Sequence, residues 1–535
     1  MKVNTSIRTE LLYQNRMVKC FWPRPANLDA MFRAIAQTYA HKEAVVYQDE
    51  RLTYGLLDQQ VGQVATGLRK AGLLAGERIA VFVGNRTEFV ISVLAILRLG
   101  AICVPIGVRQ SALELRYILN QSSVSALIFE DYLSSRIPAV EDVQSLRVLW
   151  RIDGSPQTGE FAFDQLKSVE NEPLPVQSID EHSTAIIMYT SGTTGRPKGA
   201  MLTHLGFFHT AKNYETRFGY DSDSRSVMVV PGSHISGLLA VFVVMLQVGG
   251  CTILIQEFDA LELLGIIERE RITSTVMVPA MYNLCLLTPE FERFDLSSWK
   301  IGHFGGAAMP EVSIQRLAQK LPQLRLYNGY GATETTSAVT LSSAQDTITF
   351  LDSVGTVLDC VDIRVLDENA CEVSPGESGE IFVQSPGNAI GYWDNLQATQ
   401  SEFIGGYWRS GDIGSIDASG RMRLLDRRKD MINRGGFKVY STEVEGVLHR
   451  IAGVVDAAVV PTPCEILGER VHAFIFGPPT LTLSEVRAHC AQYLADYKRP
   501  DYLTVMNVPL PRNLNGKIVK QPLREEALRM AHARL

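Results

Sequence analysis

Several common signatures are missing from this chain of 535 residues, and each absence removes a class of function. Its eight cysteines, at positions 20, 103, 251, 285, 360, 371, 464 and 490, never come within five residues of one another. That spacing excludes a tetrahedral metal knot and a dense disulfide framework and fits a reducing compartment, so a cytoplasmic protein is expected. There is no block of Lys and Arg and no interleaving of aromatic with basic residues, and the formal charge is -7. An extended nucleic-acid surface is therefore not expected, although phosphate on a small ligand can still be met locally. The ten histidines are scattered. His204 and His209 share a helical spacing, but without a His-Glu-x-x-His pattern, so no protein-built zinc site is expected.

Long hydrophobic runs are missing too. Residues Met1 to Glu10 carry no continuous apolar region of the kind a signal peptide has. The stretch from Ser226 to Gln256 holds no Asp, Glu, Lys or Arg, but its apolar part breaks at Gly249-Gly250. A membrane-spanning helix needs about 20 continuous apolar residues, so this stretch reads as a buried helix, a turn and a buried strand, with no transmembrane segment.

What is present is a globular composition, 46% hydrophobic, in a chain long enough for two or more domains. Arg78 to Val83, Glu88 to Leu99 and Gly100 to Pro105 read as strand, helix and strand, a crossover unit that places parallel strands in one sheet. Val124 to Phe129 and Leu146 to Trp150 continue it. Val227 to Val230, Cys251 to Ile255 and Ser274 to Val278 are nearly unbroken apolar strands that suit burial on both faces, a second parallel layer. From Asp359 the strands alternate or shorten between glycine-rich turns, which predicts a smaller, partly antiparallel sheet. Beyond Arg428, Thr442 and Thr482 each precede a capping-box pattern, and two helices against a short sheet suffice for an independent domain.

The stretch from Tyr189 to Gly199 stands out. It leaves the apolar run Ala185 to Met188, precedes a helix-compatible segment, and offers Thr190, Ser191, Gly192, Thr193, Thr194, Gly195, Arg196 and Lys198. Backbone N–H groups, hydroxyls and two cations in so short a turn are equipment for a polyphosphate. It is not a Walker loop, because Pro197 precedes Lys198 and Gly199 follows it. Four further polar islands interrupt apolar structure: Gly302 to Pro310, Asn328 to Thr335, Gly406 to Asp412, and Asp426 to Asp430. Taken singly each has a plain structural use. Asp412 suits a cap, Glu334 an exposed helix position and Tyr330 a core. Together they supply a ring, carboxylates and phosphate donors, which is what a nucleotide requires.

In order and spacing these segments, with Pro231-Gly-Ser-His234 and Pro511 to Lys517, resemble the acyl-adenylate-forming superfamily. That superfamily takes in acyl- and aryl-CoA synthetases, nonribosomal adenylation domains and beetle luciferases. The likeness runs from Asn27 to about Arg529. It implies an α/β fold: a large multi-layer domain, residues 1–428, with two parallel-type sheets and a smaller barrel-like sheet, then a small mobile α+β lid, residues 429–535. It also implies that ATP, Mg²⁺ and a carboxylic acid meet between them, with CoA the expected acceptor and an amine or a carrier-protein thiol the alternative.

By the same resemblance, Thr190 to Lys198 wraps the β- and γ-phosphates. Tyr330 stacks on adenine beside Gly305, Gly306 and Ala307, with Asn328 and Gly329 adjoining. Asp412 takes the ribose hydroxyls with support from Arg427, and Thr333 and Glu334 face the α-phosphate and Mg²⁺, Glu334 as metal ligand. Lys517 bridges the carboxylate and the α-phosphate. Lys429 is the pivot of the lid, which turns to present Gly435, Gly436 and Lys438 to the CoA arm, with Glu443 in a less defined part. His234 stands where relatives carry a gate or acyl-pocket residue, and a satisfied buried histidine is the other reading. No Lys or Arg occurs in Gly232 to Leu238, His303 to Ala307 or Asn328 to Thr333. The implied substrate thus has one carboxylate and an apolar body: a medium or long acyl chain, or an aryl or alicyclic acid. Asn513, Ser410 and Ser441-Thr442 depart from the commonest family form without removing loop chemistry. The oligomeric state is left open.

Overall fold

The computed structural model describes residues 5–12, 16–170, 172, 179–190, 196–307, 309–512 and 518–532. The chain divides into two compact units. The first comprises Met1–Ile363, Phe382–Arg409 and Gly420–Met422; the second comprises Arg364–Ile381, Ser410–Ser419 and Arg423–Leu535.

The first unit carries the crossover units read from the sequence. Strands Arg78–Phe82 and Ile102–Pro105 pair in parallel, Arg78 opposite Ile102, with the helix Thr87–Leu99 between them in the chain. All but one of that helix's thirteen residues are buried. A helix buried on nearly every side has no solvent face and belongs between layers. Five further strands complete a seven-stranded sheet in the order Lys198–Thr203, Thr184–Thr190, Ile102–Pro105, Arg78–Phe82, Ala126–Glu130, Val148–Ile152, Glu160–Ala162. It is parallel except at the Lys198–Thr203 edge.

The second parallel layer runs Glu43–Tyr47, Cys251–Leu254, Arg225–Met228, Ser274–Met277, Ile301–Gly305, Arg325–Ala332. One core joins the layers, taking Ile79 and Val81 from the first and Met228 and Val276 from the second. The uncharged run from Ser226 onward is buried protein, and no helix among the described residues is long and apolar enough to cross a membrane.

Two expectations need correction. The partly antiparallel strands do not close into a barrel. Ser337–Leu341 and Ser353–Val357 extend the second layer antiparallel beyond Arg325–Ala332, the first after the short turn at Thr333–Thr335 and the second after the helix Ala344–Thr349. The strands Asp362–Leu366, Gly379–Gln384, Tyr407–Ile416 and Arg421–Arg427 pair in the order first, second, third, fourth, and the whole path stays open. Nor is Leu238 to Val248 a uniform helix, since Leu238–Val243 is wound as a π-helix before Val244–Val248.

The second unit is a sheet of Phe437–Val439, Ile432–Arg434, Gly468–Phe476, Asp456–Cys464 and Tyr502–Met506. It is covered by Ser441–Leu448, Leu483–Cys490 and Lys520–His532. The Thr482 capping box forms, with Val486, Cys490 and Leu494 inward. The one expected at Thr442 does not: the helix begins at Ser441, and the Thr442 hydroxyl donates to the Leu425 carbonyl instead.

Three histidines of the first unit are buried and uncharged. His209 Nε2 accepts from the Phe21 amide at 2.9 Å and His204 Nδ1 from the Leu28 amide at 3.4 Å. Burial pulls His204, His209 and His303 from an ordinary 6.5 down to about 4. Between those values the unfolded chain binds protons that the folded chain refuses, so the contribution of these three groups falls as pH falls from about 6.5 to about 4, below which carboxylates held low, such as Glu10, take over the dependence. The thermal midpoint should fall across the histidine window. His209→Gln, which keeps an acceptor for the Phe21 amide and titrates nothing, should remove roughly one of the three protons from the slope; a slope identical to wild type would contradict the assignment.

Candidate active site

The segment expected to meet a polyphosphate lies between two antiparallel strands, Thr184–Thr190 and Lys198–Thr203, with Thr190 opposite Lys198. The expected helix begins only at His204, after this second strand. The strand is only six residues long and ends at the helical cap, Thr203, and periodicity in so short a run does not separate strand from helix. Ser191, Gly192, Thr193, Thr194 and Gly195 lie outside the described residues. Gly199 is required where it stands, because a Cβ there would lie 2.7 Å from Ile187 and 3.1 Å from the Tyr189 ring.

Lys198 is pinned at the end of the hairpin. Its side chain is 10% exposed, its Nζ lies 2.5 Å from Glu402 Oε1, and the ammonium sits 4.2 Å from the centre of the Tyr392 ring. Tyr392, itself buried, has its hydroxyl 2.5 Å from Glu402 Oε2 and 2.9 Å from Glu334 Oε1. One phenol hydrogen thus lies between two carboxylates. Burial raises both Glu334 and Tyr392 above their ordinary values, with the neighbouring carboxylates adding to the shift at Tyr392.

Glu334 is not on an exposed helix. It occupies a single 3-10 turn, Thr333–Thr335, between Arg325–Ala332 and Ser337–Leu341. Ala389 donates its amide to the Glu334 carbonyl at 2.7 Å, and the Thr335 hydroxyl accepts from the Ala332 amide and donates to the Ser337 carbonyl. Thr336 and Ser337 then take φ of 49° and 95°. Left-handed backbone at two successive non-glycine residues is costly and persists only where surrounding bonds fix it, a feature that clusters at functional sites.

Parallel pairing sets Phe304 beside Asn328 and Gly305 beside Gly329, so Gly305, Gly306 and Ala307 adjoin the stretch leading to Tyr330. A Cβ on Gly305 would stand 2.8 Å from the Gly329 carbonyl oxygen. The Asn328 side chain is already committed, donating to the Ser353 carbonyl at 2.9 Å. His303 Nδ1 and Nε2 have no hydrogen-bond partner among the described residues, and the ring packs against Tyr214 and Phe218.

The Pro231–His234 segment is held by a residue the sequence did not advertise. Asn85, 5% exposed, directs its Nδ2 at the carbonyls of Met228, Val230 and Ile255, between 2.9 and 3.1 Å, and accepts the Gly232 amide at 2.8 Å. His234, partly exposed, precedes the short helix Ile235–Gly237 and the π-helical segment. π-Helical turns often mark functional positions.

The second unit holds the remaining candidates. Asp412 is 2% exposed and lies 2.7 Å from Arg427 Nε. Ser410, at the position where the family commonly has threonine, accepts the Asp412 amide and donates to the Ile381 carbonyl, so a hydroxyl is what that position uses. Burial lowers Lys429 below its ordinary value, and the Lys429 carbonyl accepts from Arg524 at 2.9 Å. Gly435 and Gly436 are the central pair of the two-residue hairpin turn joining Ile432–Arg434 to Phe437–Val439, with φ of 61° and 89°. Positive φ at both positions is what such a turn demands, so the glycines have a backbone reason to be there in addition to the space they leave. Lys438 pairs with Glu368, Glu443 with Lys498, and Arg434 with Asp501. Lys517 lies outside the described residues; Arg512 and Ile518 form a bridge, and the Val519 amide donates to the Pro511 carbonyl.

Among the described residues no three His, Cys, Asp or Glu side chains form a metal cage. Glu334 and the Thr333 hydroxyl are hard oxygen donors. Mg²⁺ is ordinarily held by one or two carboxylates together with substrate phosphates rather than by an all-protein cage, so this donor set fits it.

Two mainly parallel layers with the sequence motifs at the strand ends, and a lysine clamped at one of those ends, define an enzyme-like α/β fold. The chain belongs to the AMP-binding enzyme family, within the acyl-adenylate-forming superfamily. The family model of that description matches residues 32–393, and the model of the AMP-binding enzyme C-terminal domain matches residues 443–517. The chain is 33% identical to the feruloyl-CoA synthase of Amycolatopsis sp, over 91% of this chain and 96% of that one. It is 30% identical to the long-chain-fatty-acid–CoA ligase FadD13 of Mycobacterium tuberculosis, over 94% and 98%. Its fold matches the O-succinylbenzoate coenzyme A synthetase of Bacillus subtilis, solved with ATP and magnesium ion, with a TM-score of 0.82, 26% identity and coverage of 94% and 99%.

Sequence reasoning passed over Asn85, Tyr392 and Glu402. Nothing marks Asn85 beyond its place after a strand, and the only hint of the other two is a Gly391-Tyr392 step and a polar helix leading to Phe403. Asn85→Ala should leave three carbonyls and one amide without their partner and lower stability by roughly 2–4 kcal/mol, read from the urea midpoint. Asn85→Asp loses both donors and buries a charge, so rescue by aspartate would contradict this account.

Proposed function

We propose that the protein is an AMP-forming acid:CoA ligase acting on a carboxylic acid with an apolar body: a medium or long acyl chain, or an aryl or alicyclic acid. The observation that carries this reading is the Lys198, Glu402, Tyr392 and Glu334 cluster at the foot of the hydroxyl- and glycine-rich hairpin, in a chain of the AMP-binding enzyme family. The apolar body is supported by the absence of Lys and Arg from the three expected acyl segments and by the burial that keeps His303 uncharged. Relatives that take an aryl-type acid and a long-chain fatty acid are about equally similar to this chain, which is why the class is kept broad.

In the first step a carboxylate oxygen attacks the α-phosphorus of ATP and the bond to the bridging oxygen breaks, giving an acyl-adenylate and pyrophosphate. Thr190 and Lys198 take the outer phosphates, Tyr330 the adenine, and Asp412 with Arg427 the ribose. Mg²⁺, when bound at Glu334 and Thr333, supplies charge neutralisation at the phosphates. Lys517 sets its cation against the negative charge that grows during attack, where electrostatic stabilisation lowers a barrier most. In the second step the CoA sulfur attacks the acyl carbon, AMP leaves with the bonding pair, and the thiol proton passes to solvent. The reactive electrophile is a mixed anhydride, so no Ser-His-Asp or Cys-His nucleophile is needed. Residues 429–535 form the mobile domain of this reading. Lys429 is its pivot, and Gly435, Gly436 and Lys438 serve the CoA half-reaction, with His234 gating the acyl site.

Pyrophosphate release across a panel of carboxylic acids, with and without CoA, tests the reading. Acid-dependent release together with an acyl-CoA product is expected. Release indifferent to CoA, with an amide product when an amine is added, would assign the acceptor to the amine alternative. Lys517→Ala should cut adenylation by about a hundredfold or more while thioester formation from supplied acyl-adenylate falls much less, and equal loss in both steps would refute the role. Lys429→Pro should suppress the full reaction and leave one half-reaction measurable; parallel loss of both would remove Lys429 as the pivot.

A further inference from the structure

We propose that Glu402 and Tyr392 are positioning residues that hold the phosphate-turn lysine, Lys198, at a fixed separation from the acid Glu334, so that cation and carboxylate are set for a metal-bound triphosphate before it arrives. The inference rests on the ligase reading for its ligand and on geometry for its residues.

Glu402 is the last residue of the short helix Leu396–Glu402. A carboxylate there meets the negative end of the helix dipole, so helix stability does not explain it. Its two oxygens are instead divided between two partners, Oε1 on Lys198 Nζ at 2.5 Å and Oε2 on the Tyr392 hydroxyl at 2.5 Å. The Lys198 ammonium is thereby fixed in two directions, by the carboxylate and by the face of the Tyr392 ring at 4.2 Å. That same ring carries the hydroxyl that meets Glu334 Oε1 at 2.9 Å. A phenol is rigid from ring face to hydroxyl, so one side chain sets the spacing of a cation and an acid that stand on different elements of the first unit.

The Tyr392 backbone is itself tied on both sides. Its amide donates to the Thr399 hydroxyl, Trp393 donates its amide to the Gly199 carbonyl, and an isolated bridge joins Tyr392 to Ala200 on the hairpin strand. A plain ion pair on an exposed face contributes almost nothing measurable and leaves its lysine free to wander. Lys198, at 10% exposure and with its ammonium on an aromatic face, is not in that position. Losing a group that orients a metal ligand typically costs about 10- to 100-fold in metal affinity.

Equilibrium binding of ATP, measured calorimetrically at a series of Mg²⁺ concentrations with no acid present, reads this directly and does not depend on turnover. Tyr392→Phe keeps the ring under the ammonium and removes only the hydroxyl. It should raise the Mg²⁺ concentration needed for half-maximal ATP binding by about tenfold while Mg²⁺-free binding changes less than about twofold. Glu402→Gln should weaken ATP binding by about three- to tenfold with and without Mg²⁺. The double variant should lose less than the two single losses combined, because both act through one lysine. Glu402→Asp should recover part of the loss if the charge matters. Variants that bind ATP and respond to Mg²⁺ as wild type does would overturn the inference. So would uniform weakening of every ligand accompanied by a lowered thermal midpoint, the mark of a purely structural role. Wild-type protein that binds ATP with Mg²⁺ yet releases no pyrophosphate with any acid would sink the ligase reading and leave this one standing.

Discussion

A parallel strand buried on both faces has no place along its length for a charge or a flexible polar loop. In the first unit this confines chemistry to the strand ends. Thr190 closes one strand, Gly305 closes another, Pro231 follows a third by three residues, and Thr333 begins where a fourth ends. Open α/β sheets place their ligands at the carboxyl ends of strands for this reason. Pro231, Gly305 and Thr333 are far apart in the chain, yet the strands they follow or close belong to one sheet, while the strand ending at Thr190 belongs to the seven-stranded one.

The hairpin that carries the polyphosphate turn departs from that plan at one point. Lys198–Thr203 runs antiparallel to its neighbour, at the edge of an otherwise parallel sheet. The reversal brings Lys198 back beside the strand it left instead of sending it away on a crossover helix. From there Glu402 and Tyr392 can take hold of it, and Gly199 permits the close approach. Burial works in opposite directions on acids and bases of the first unit. It raises Glu334 and Tyr392, which favours their protonated forms, and it lowers His204, His209 and His303, which keeps those rings neutral.

The second unit uses a buried charge network for a comparable purpose. Asp426 accepts from the Ser441 amide and hydroxyl, and Lys520 donates to the Ser441 hydroxyl and pairs with Glu445. Burial raises both Asp426 and Glu445, and Lys520 opposes the shift in each. Lys520 opens the last helix, so the start of that helix is tied to the strand that ends at Arg427. This network also explains the missing cap at Thr442: Asp426 caps that helix from outside its own sequence window.

The sequence by itself determined the alternation of strands and helices. Crossover segments such as Arg78 to Pro105 carry a period and a length that admit one reading, and the hydroxyl and glycine clusters between apolar runs marked the strand-end loops. It also placed the Thr482 cap, where side chain and backbone partner lie within three residues. What it left to the tertiary structure was every interaction whose partners are distant in the chain. The edge strand after Lys198 looks helical because a short run holds too few residues to show its period. The sheet stays open where a barrel was expected, because strand pairing is a long-range choice. Asn85, Tyr392 and Glu402 are ordinary polar residues in their local stretches. Each acquires its role only when folding brings carbonyls, a lysine or a second carboxylate within 3.1 Å of it, and no local pattern encodes a distance of that kind.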